Sequence, residues 1–102
     1  MASIIKSPKL AKKVLQGILD DRIIYGEKNE IQLAALDWGA RALERANANG
    51  ANLRHEAGIV RYQANNKTAV LLPCEDHTRG ALKAAVVELE KMIKREEGGA
   101  HE

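Results

Sequence analysis

The segment from Glu30 to Asn47 constrains the fold most, because we predict it to be a helix that is apolar around most of its circumference. At roughly 100° per residue its larger side chains fall on two faces, one around Trp38 and the other around Leu36 and Leu43. Its charged side chains share one narrow stripe, formed by Glu30, Asp37, Arg41 and Glu44. Such a helix must be covered on several sides, and 102 residues provide few elements to cover it. We therefore expect a partner subunit or a partner protein to cover part of it.

The length and composition predict one small domain with an alanine-rich core. The chain contains no Phe, one Trp and two Tyr, so aliphatic side chains and alanine must fill the interior. We place the domain at residues 1–97 and a flexible tail at residues 98–102. The net charge of +2 is typical of a soluble protein, and it neither requires nor excludes a polyanionic partner.

The single cysteine and the lack of long apolar runs predict the cellular location. Cys74 is the only cysteine, which rules out a disulfide within the chain and fits a reducing compartment. The apolar start around Ile4 and Ile5 is too short for a signal peptide, and no apolar run approaches the length that crosses a membrane. We therefore predict a cytoplasmic protein that makes no membrane contact.

Capping residues and apolar spacing predict three helices. Ser7 at the cap and Pro8 at the first helical position begin the first helix. Asn29 suits the cap of the second helix, and Asn47–Gly50 is a stop signal. The last helix begins at Glu75–Asp76 and carries a half-buried apolar stripe. The predicted core comprises Leu10, Val14, Leu15, Ile18, Ile31, Leu36, Trp38, Leu43, Ile59, Val70, Leu82, Val86, Leu89 and Ile93.

Between the second and the last of these helices the composition favours β-structure. Gly58–Gln63 and Thr68–Leu72 are rich in β-branched and aromatic residues, and Asn65–Lys67 between them suits a turn. We therefore predict a two-stranded antiparallel hairpin over residues 58–72.

The order of elements is then helix, helix, hairpin, helix, which is an α+β fold with a small sheet. A hairpin alone would be marginally stable, so Ile4–Ile5 or Ile23–Tyr25 is a candidate third strand. Residues 51–57 fit either a helical turn or an irregular connection.

No arrangement of residues in the sequence identifies a reaction. Cys74 and His77 have the spacing of two metal ligands, but a structural zinc site needs four, and the acidic residues after Cys74 oppose ionisation of its thiol. His55 and Glu56 are adjacent, which does not by itself hold an acid and a base at a substrate. We therefore predict no catalytic residue, no metal site, no cofactor and no enzymatic activity.

Basic residues are the usable polar feature for a nucleic-acid hypothesis. The candidates for contacts with phosphates are Lys9, Lys12, Lys13, Arg61 and Lys67. The 58–72 segment followed by a long amphipathic helix resembles the wing and dimerisation helix of winged-helix repressors, over the second half of the chain only. That resemblance implies a DNA-binding regulator with the hairpin as its wing. The chain departs from the pattern upstream, because Glu30–Asn47 contains no convincing turn between two short helices.

The interpretation that we favour is a small protein-interaction module that regulates or inhibits a partner protein and forms a homodimer. Burial of the second helix across a two-fold interface would cover its apolar circumference. The predicted interface comprises Leu33, Leu36, Trp38, Leu43 and Val87, the last being an apolar residue among charged ones. The DNA-binding regulator is the alternative.

Overall fold

The computed structural model describes residues 4–21 and 27–99, and these ranges contain four helices. The helices are α1 (Pro8–Asp20), α2 (Glu30–Ala48), α3 (Arg54–Asn65) and α4 (Asp76–Gly99). No β-sheet is present within the described ranges, so the predicted α+β class is wrong. Each of these helices also lacks an apolar stretch that is long enough to cross a lipid bilayer.

The capping residues act at both ends of α2 and at the start of α1, as the sequence predicted. The side chain of Ser7 accepts a hydrogen bond from the backbone N–H of Leu10, with Pro8 in the first turn. Asn29 and Gln32 form a reciprocal capping box at the start of α2. Gly50 follows the end of α2 with a φ of 105°, a left-handed conformation that favours glycine.

The predicted 58–72 hairpin is replaced by α3 and an irregular connection. The segment 58–63 lies inside α3, because Ala57, Val60 and Ala64 recur at helical spacing and turn one face of the helix towards the core. Val60 is completely buried, so tertiary packing outweighs the strand preference of its β-branched side chain. The ambiguous residues 51–57 divide between a connection and the first turn of α3.

The remaining predictions concern the third strand and the C-terminal tail. Ile4 and Ile5 form neither strand nor helix, whereas Ile23–Tyr25 lies outside the described residues. Of the predicted tail at 98–102, Gly98 and Gly99 belong to α4, and the last three residues lie outside the described residues.

Most of the apolar circumference of α2 is covered by the other three helices of the same chain, whereas Ile31 stays 51% exposed. Among the described residues, α1 and α3 each pack against both α2 and α4 but not against each other. All four helices meet at Gly39, where an added Cβ would lie 3.0 Å from Ala85 Cβ, 3.1 Å from Leu15 Cδ1 and 3.6 Å from Val60 Cγ1. The internal packing therefore provides the cover that we had expected from a partner.

The core is rich in alanine, which allows the helices to approach closely. The buried apolar residues are Ile5, Ala11, Leu15, Ile18, Ala35, Leu36, Ala40, Ala42, Leu43, Ala57, Val60, Leu71, Ala81, Leu82, Ala85 and Leu89. The predicted core was wrong at Leu10, Ile31 and Val70, which are all exposed. The prediction relied on large apolar side chains, but seven of these sixteen buried residues are alanines.

A buried lysine fixes the connection that follows α3. Lys28 is completely buried, and its Nζ donates to the carbonyl oxygens of Asn66 and Ala69 at 2.7 and 2.6 Å. Its backbone N–H donates to the carbonyl of Lys67 at 3.0 Å. Burial lowers the pKa of Lys28 below its ordinary value, because desolvation disfavours the ammonium form. These bonds hold residues 66–69 against the segment that precedes α2.

Candidate functional site

The residues predicted as a partner interface do not form one free surface. Leu36 and Leu43 are completely buried within the chain, and Leu33 is half-buried. Trp38 packs against the core, and its indole N–H donates to the carbonyl of Ile5 at 2.9 Å. Val87 is exposed on α4, apart from these residues. Most of the predicted patch is therefore already occupied by contacts within the chain.

Arg61 holds α3 against α2 and is not free to bind phosphate. Its guanidinium donates to both carboxylate oxygens of Glu44 at 2.9 Å and to Asp37 Oδ1 at 2.8 Å. Bidentate pairs of this kind are strong because two parallel charge-assisted bonds fix the geometry. The hydrogen bonds to Glu44 raise the pKa of Arg61, and the same bonds lower the pKa of the Glu44 carboxyl group.

The other predicted phosphate contacts are dispersed. Lys12 pairs with Glu90 at 3.5 Å, and Lys67 pairs with Glu27 at 3.5 Å. Lys9 and Lys13 are exposed on α1, a helix that does not contact α3 within the described part of the chain. The structure therefore does not bring the five basic residues together.

An open concave surface runs along the outer side of α3. We name it the α3 groove and define it by its lining residues: Asn52, Arg54, His55, Gly58, Ile59, Tyr62, Gln63 and Thr78. Its volume is about 770 Å³, and it is open to solvent along its length. Sites that bind small molecules or peptide side chains commonly have volumes of about 300–1,000 Å³.

A missing side chain creates a notch in the middle of the α3 groove. Arg54, Gly58 and Tyr62 follow one another at intervals of four residues, so they lie along one ridge of the helix. Beyond the helix's own backbone, no heavy atom of the described residues lies within 4 Å of where a Cβ on Gly58 would be. The notch therefore separates the guanidinium-bearing side chain of Arg54 from the ring of Tyr62.

One histidine, His55, lines the groove, and its ring contacts that of His77 on α4. The rings of His55 and His77 make an edge-to-face contact, with centroids 5.6 Å apart and planes at 82°. The start of α4 positions His77, because Glu75 accepts hydrogen bonds from the backbone N–H groups of His77 and Thr78 and from the Thr78 hydroxyl. These donors lower the pKa of the Glu75 carboxyl group. His55 is thus supported by a second ring on a capped helix.

Gln63 contributes a buried carboxamide to the groove lining. Its Nε2 donates to the carbonyl of Val70 at 3.3 Å, and the residue is only 9% exposed. Its Oε1 is buried and accepts no hydrogen bond from any described residue. A buried acceptor without a donor costs about 1–3 kcal/mol, so such atoms are uncommon and call for an explanation.

One exposed apolar side chain lines the groove, and two others lie on the connection between α3 and α4. Tyr62 is 58% exposed within the groove, and Val70 is 50% exposed in the connection that Gln63 holds. Leu72 is 38% exposed, and its carbonyl accepts from the backbone N–H of Glu75 next to the groove residue Thr78. Burying any of these side chains further would be favourable, because each removes apolar area from water.

A second, smaller concavity lies between α2 and α4. It has a volume of about 300 Å³ and is lined by Trp38, Arg41, Ala42, Arg45 and Met92. Arg41 already pairs with Asp37 at 3.0 Å. This concavity is smaller than the α3 groove and contains a single aromatic residue, whose N–H is already bonded.

The remaining chemical candidates do not form a metal site within the described residues, where no three His, Cys, Asp or Glu side chains lie together. Cys74 is exposed, and the ring of its predicted companion His77 packs on His55. Comparison with protein-family models, with curated proteins and with solved structures found no match to this chain.

Sequence reasoning missed the α3 groove because it assigned residues 58–63 to a strand. In a strand, residues four apart lie about 13 Å from one another, so Arg54, Gly58 and Tyr62 would not be neighbours along one ridge. The signal that could have found the groove is the interval of four residues between Arg54, Gly58 and Tyr62.

Proposed function

We propose that this chain is a small helical protein-interaction module and that a segment of a partner protein binds in the α3 groove. The observation that carries the proposal is the exposed ring of Tyr62 beside an open notch at Gly58. Tyrosine is enriched at the energetic centres of protein interfaces, because its ring combines apolar area with a polar group.

The exposure of Tyr62 in the groove supports binding rather than stability. Its side chain brings little stability to the isolated chain, because it is 58% exposed. Burying the ring against a partner would remove apolar area from water.

The proposal moves the interface from α2 to α3. A dimer formed through Leu36 and Leu43 would require both side chains to leave the core, so the groove is the better candidate. The winged-helix alternative loses its basis, because residues 58–72 form no hairpin and Arg61 is engaged by Glu44. Regulation or inhibition of the partner and a cytoplasmic location remain parts of this proposal.

A matched pair of glycine variants tests it. A random peptide library displayed on phage is selected on the wild-type chain, and the enriched peptides are then titrated against Gly58→Arg and Gly17→Arg. Both glycines are helical with open space where a side chain would project, but Gly17 lies on α1, away from the groove. Circular dichroism confirms that both variants remain folded.

We expect enriched peptides that lose most of their affinity for Gly58→Arg and keep it for Gly17→Arg. Peptides that bind Gly58→Arg as tightly as the wild type would contradict the proposal. A library that yields no peptide above background would contradict it as well.

A further inference from the structure

We propose that the segment bound in the α3 groove is acidic, with an apolar side chain in the Gly58 notch and a carboxylate directed at Arg54 and His55. This inference rests on the proposed function and specifies the chemistry of the partner. It follows from the charge and the shape of the groove.

The charges of the groove lining have one sign. Arg54 is the charged residue that lines it, His55 adds a ring N–H that can donate a hydrogen bond, and no aspartate or glutamate lines it. Arg54 is exposed and forms no ion pair within the part of the chain that the structure describes. A planar guanidinium matches a carboxylate with two parallel hydrogen bonds, so a partner carboxylate is the complementary group.

The nearby acidic residues do not neutralise this end of the groove. Glu56 follows His55 on α3 but does not line the groove. Both carboxylate oxygens of Glu75 accept hydrogen bonds in the first turn of α4, where the positive end of the helix dipole also compensates the charge. The guanidinium of Arg54 therefore remains available for an external anion.

The notch at Gly58 would accept the apolar side chain of the partner segment. Its floor is the Cα of Gly58, and Ile59 and Tyr62 line the groove beside it. Neighbouring ridge positions four residues apart lie about 6 Å from one another, so the notch has the width of one side chain. A leucine, methionine or phenylalanine fits such a site, because it would contact an aliphatic side chain and an aromatic ring.

A peptide fits the groove better than a nucleic acid. The lining contains one arginine and no lysine, whereas nucleic-acid binding relies on several phosphate contacts. The exposed ring of Tyr62 in the groove would bury an aliphatic side chain more favourably than a phosphate.

The experiment compares three sets of short fluorescent peptides by anisotropy. Each set has a central leucine, flanked by aspartate and glutamate, by asparagine and glutamine, or by lysine. The protein variants are the wild type, Gly58→Leu, Arg54→Gln and the control Gly17→Leu. A fluorescent single-stranded oligonucleotide is titrated in parallel at the same ionic strength.

We expect the acidic set to bind the wild type about tenfold more tightly than the amide set, the effect of one charge-assisted pair. Arg54→Gln should remove this difference, and Gly58→Leu should weaken both sets, while Gly17→Leu should change neither.

Each other outcome contradicts a specific step. If the amide set binds as well as the acidic set and Gly58→Leu weakens both, the acidic-partner inference fails and the proposed function stands. If no peptide binds, both fail. If the oligonucleotide binds more tightly than the acidic peptides and loses affinity in Arg54→Gln, the partner is a nucleic acid and the inference is overturned.

Discussion

Replacing Gly39 by alanine should destabilise the protein, although alanine is the better helix former. In an exposed helix this substitution stabilises by about 1 kcal/mol. Here the new methyl group would lie 3.0 Å from Ala85 Cβ and 3.1 Å from Leu15 Cδ1, whereas carbon atoms pack best at about 3.5–4.0 Å. Leu15 can shift its terminal methyl, but Ala85 Cβ is attached to the backbone of α4, so α2 and α4 must move apart.

The magnitude follows from the two opposing effects. Overpacking a close-packed core costs about 1–3 kcal/mol, which exceeds the gain in helix propensity, so we expect a net loss of about 1 kcal/mol. For a chain of this length that corresponds to a fall in the melting temperature of about 4–8 °C. Urea and thermal unfolding followed by circular dichroism at the helix band would measure both quantities.

Two controls separate the clash from a general effect of the substitution. Gly17→Ala, at an exposed position of α1 with no neighbour within 4 Å outside its own helical backbone, should stabilise the protein by up to about 1 kcal/mol. Adding Ala85→Gly to Gly39→Ala should make the combined effect smaller than the sum of the single effects, because the two Cβ atoms clash with each other. The reasoning is refuted if Gly39→Ala stabilises as much as Gly17→Ala does.

Four further substitutions test other parts of the fold. Arg61→Gln should lower the free energy of unfolding, and this loss should shrink below about pH 4. The reason is that the Glu44 carboxyl group, whose pKa is lowered in the folded chain, loses its stabilising effect as it is protonated. An unchanged loss at low pH would contradict the pairing of Arg61 with Glu44. Lys28→Met should cost about 2–3 kcal/mol at neutral pH. The lowered pKa of Lys28 means that the unfolded chain binds more protons at alkaline pH, so the wild type should gain stability relative to this variant as the pH rises towards about 10; parallel pH profiles would argue against burial of the ammonium group. Val60→Ala should cost about 2 kcal/mol of unfolding free energy, because its side chain is buried. Val70→Ala should cost less than about 0.5 kcal/mol, because its side chain is half exposed. Equal losses in urea titrations would contradict this difference in burial.

The termini of the first two helices could be predicted because capping is local. Ser7 and Asn29 accept hydrogen bonds from N–H groups three residues later, and these bonds depend only on the nearby sequence. Gly50 likewise ends α2 through its own conformation. Local chemistry of this kind can be read directly from the residues.

The hairpin could not be predicted correctly by weighing residue types alone. Val60 and Tyr62 favour strands, but the free energy that decides between helix and strand comes from the contacts of Val60 with the core at Gly39. The spacing of Ala57, Val60 and Ala64 indicates a helix, and it outweighs the weak strand preferences of the single residues.

The expectation of a covering partner for α2 failed because alanine hides how closely helices can pack. Ala35, Ala81 and Ala85 are completely buried, so helices with small side chains enclose α2 within a short chain. Counting only large apolar residues therefore overestimates the apolar surface of α2 that the chain itself leaves uncovered. The α3 groove is formed by a segment that the sequence predicted to be a strand. The groove could therefore not be predicted without first assigning that segment to a helix.

The buried amine of Lys28 gives the protein an internal reporter of local opening. An acylating reagent can reach Lys28 only after its bonds to Asn66 and Ala69 separate, whereas it meets the exposed amines of Lys9 and Lys13 at once. Peptide mass spectrometry of a timed labelling reaction would therefore record how often the connection after α3 detaches while the rest of the chain stays folded.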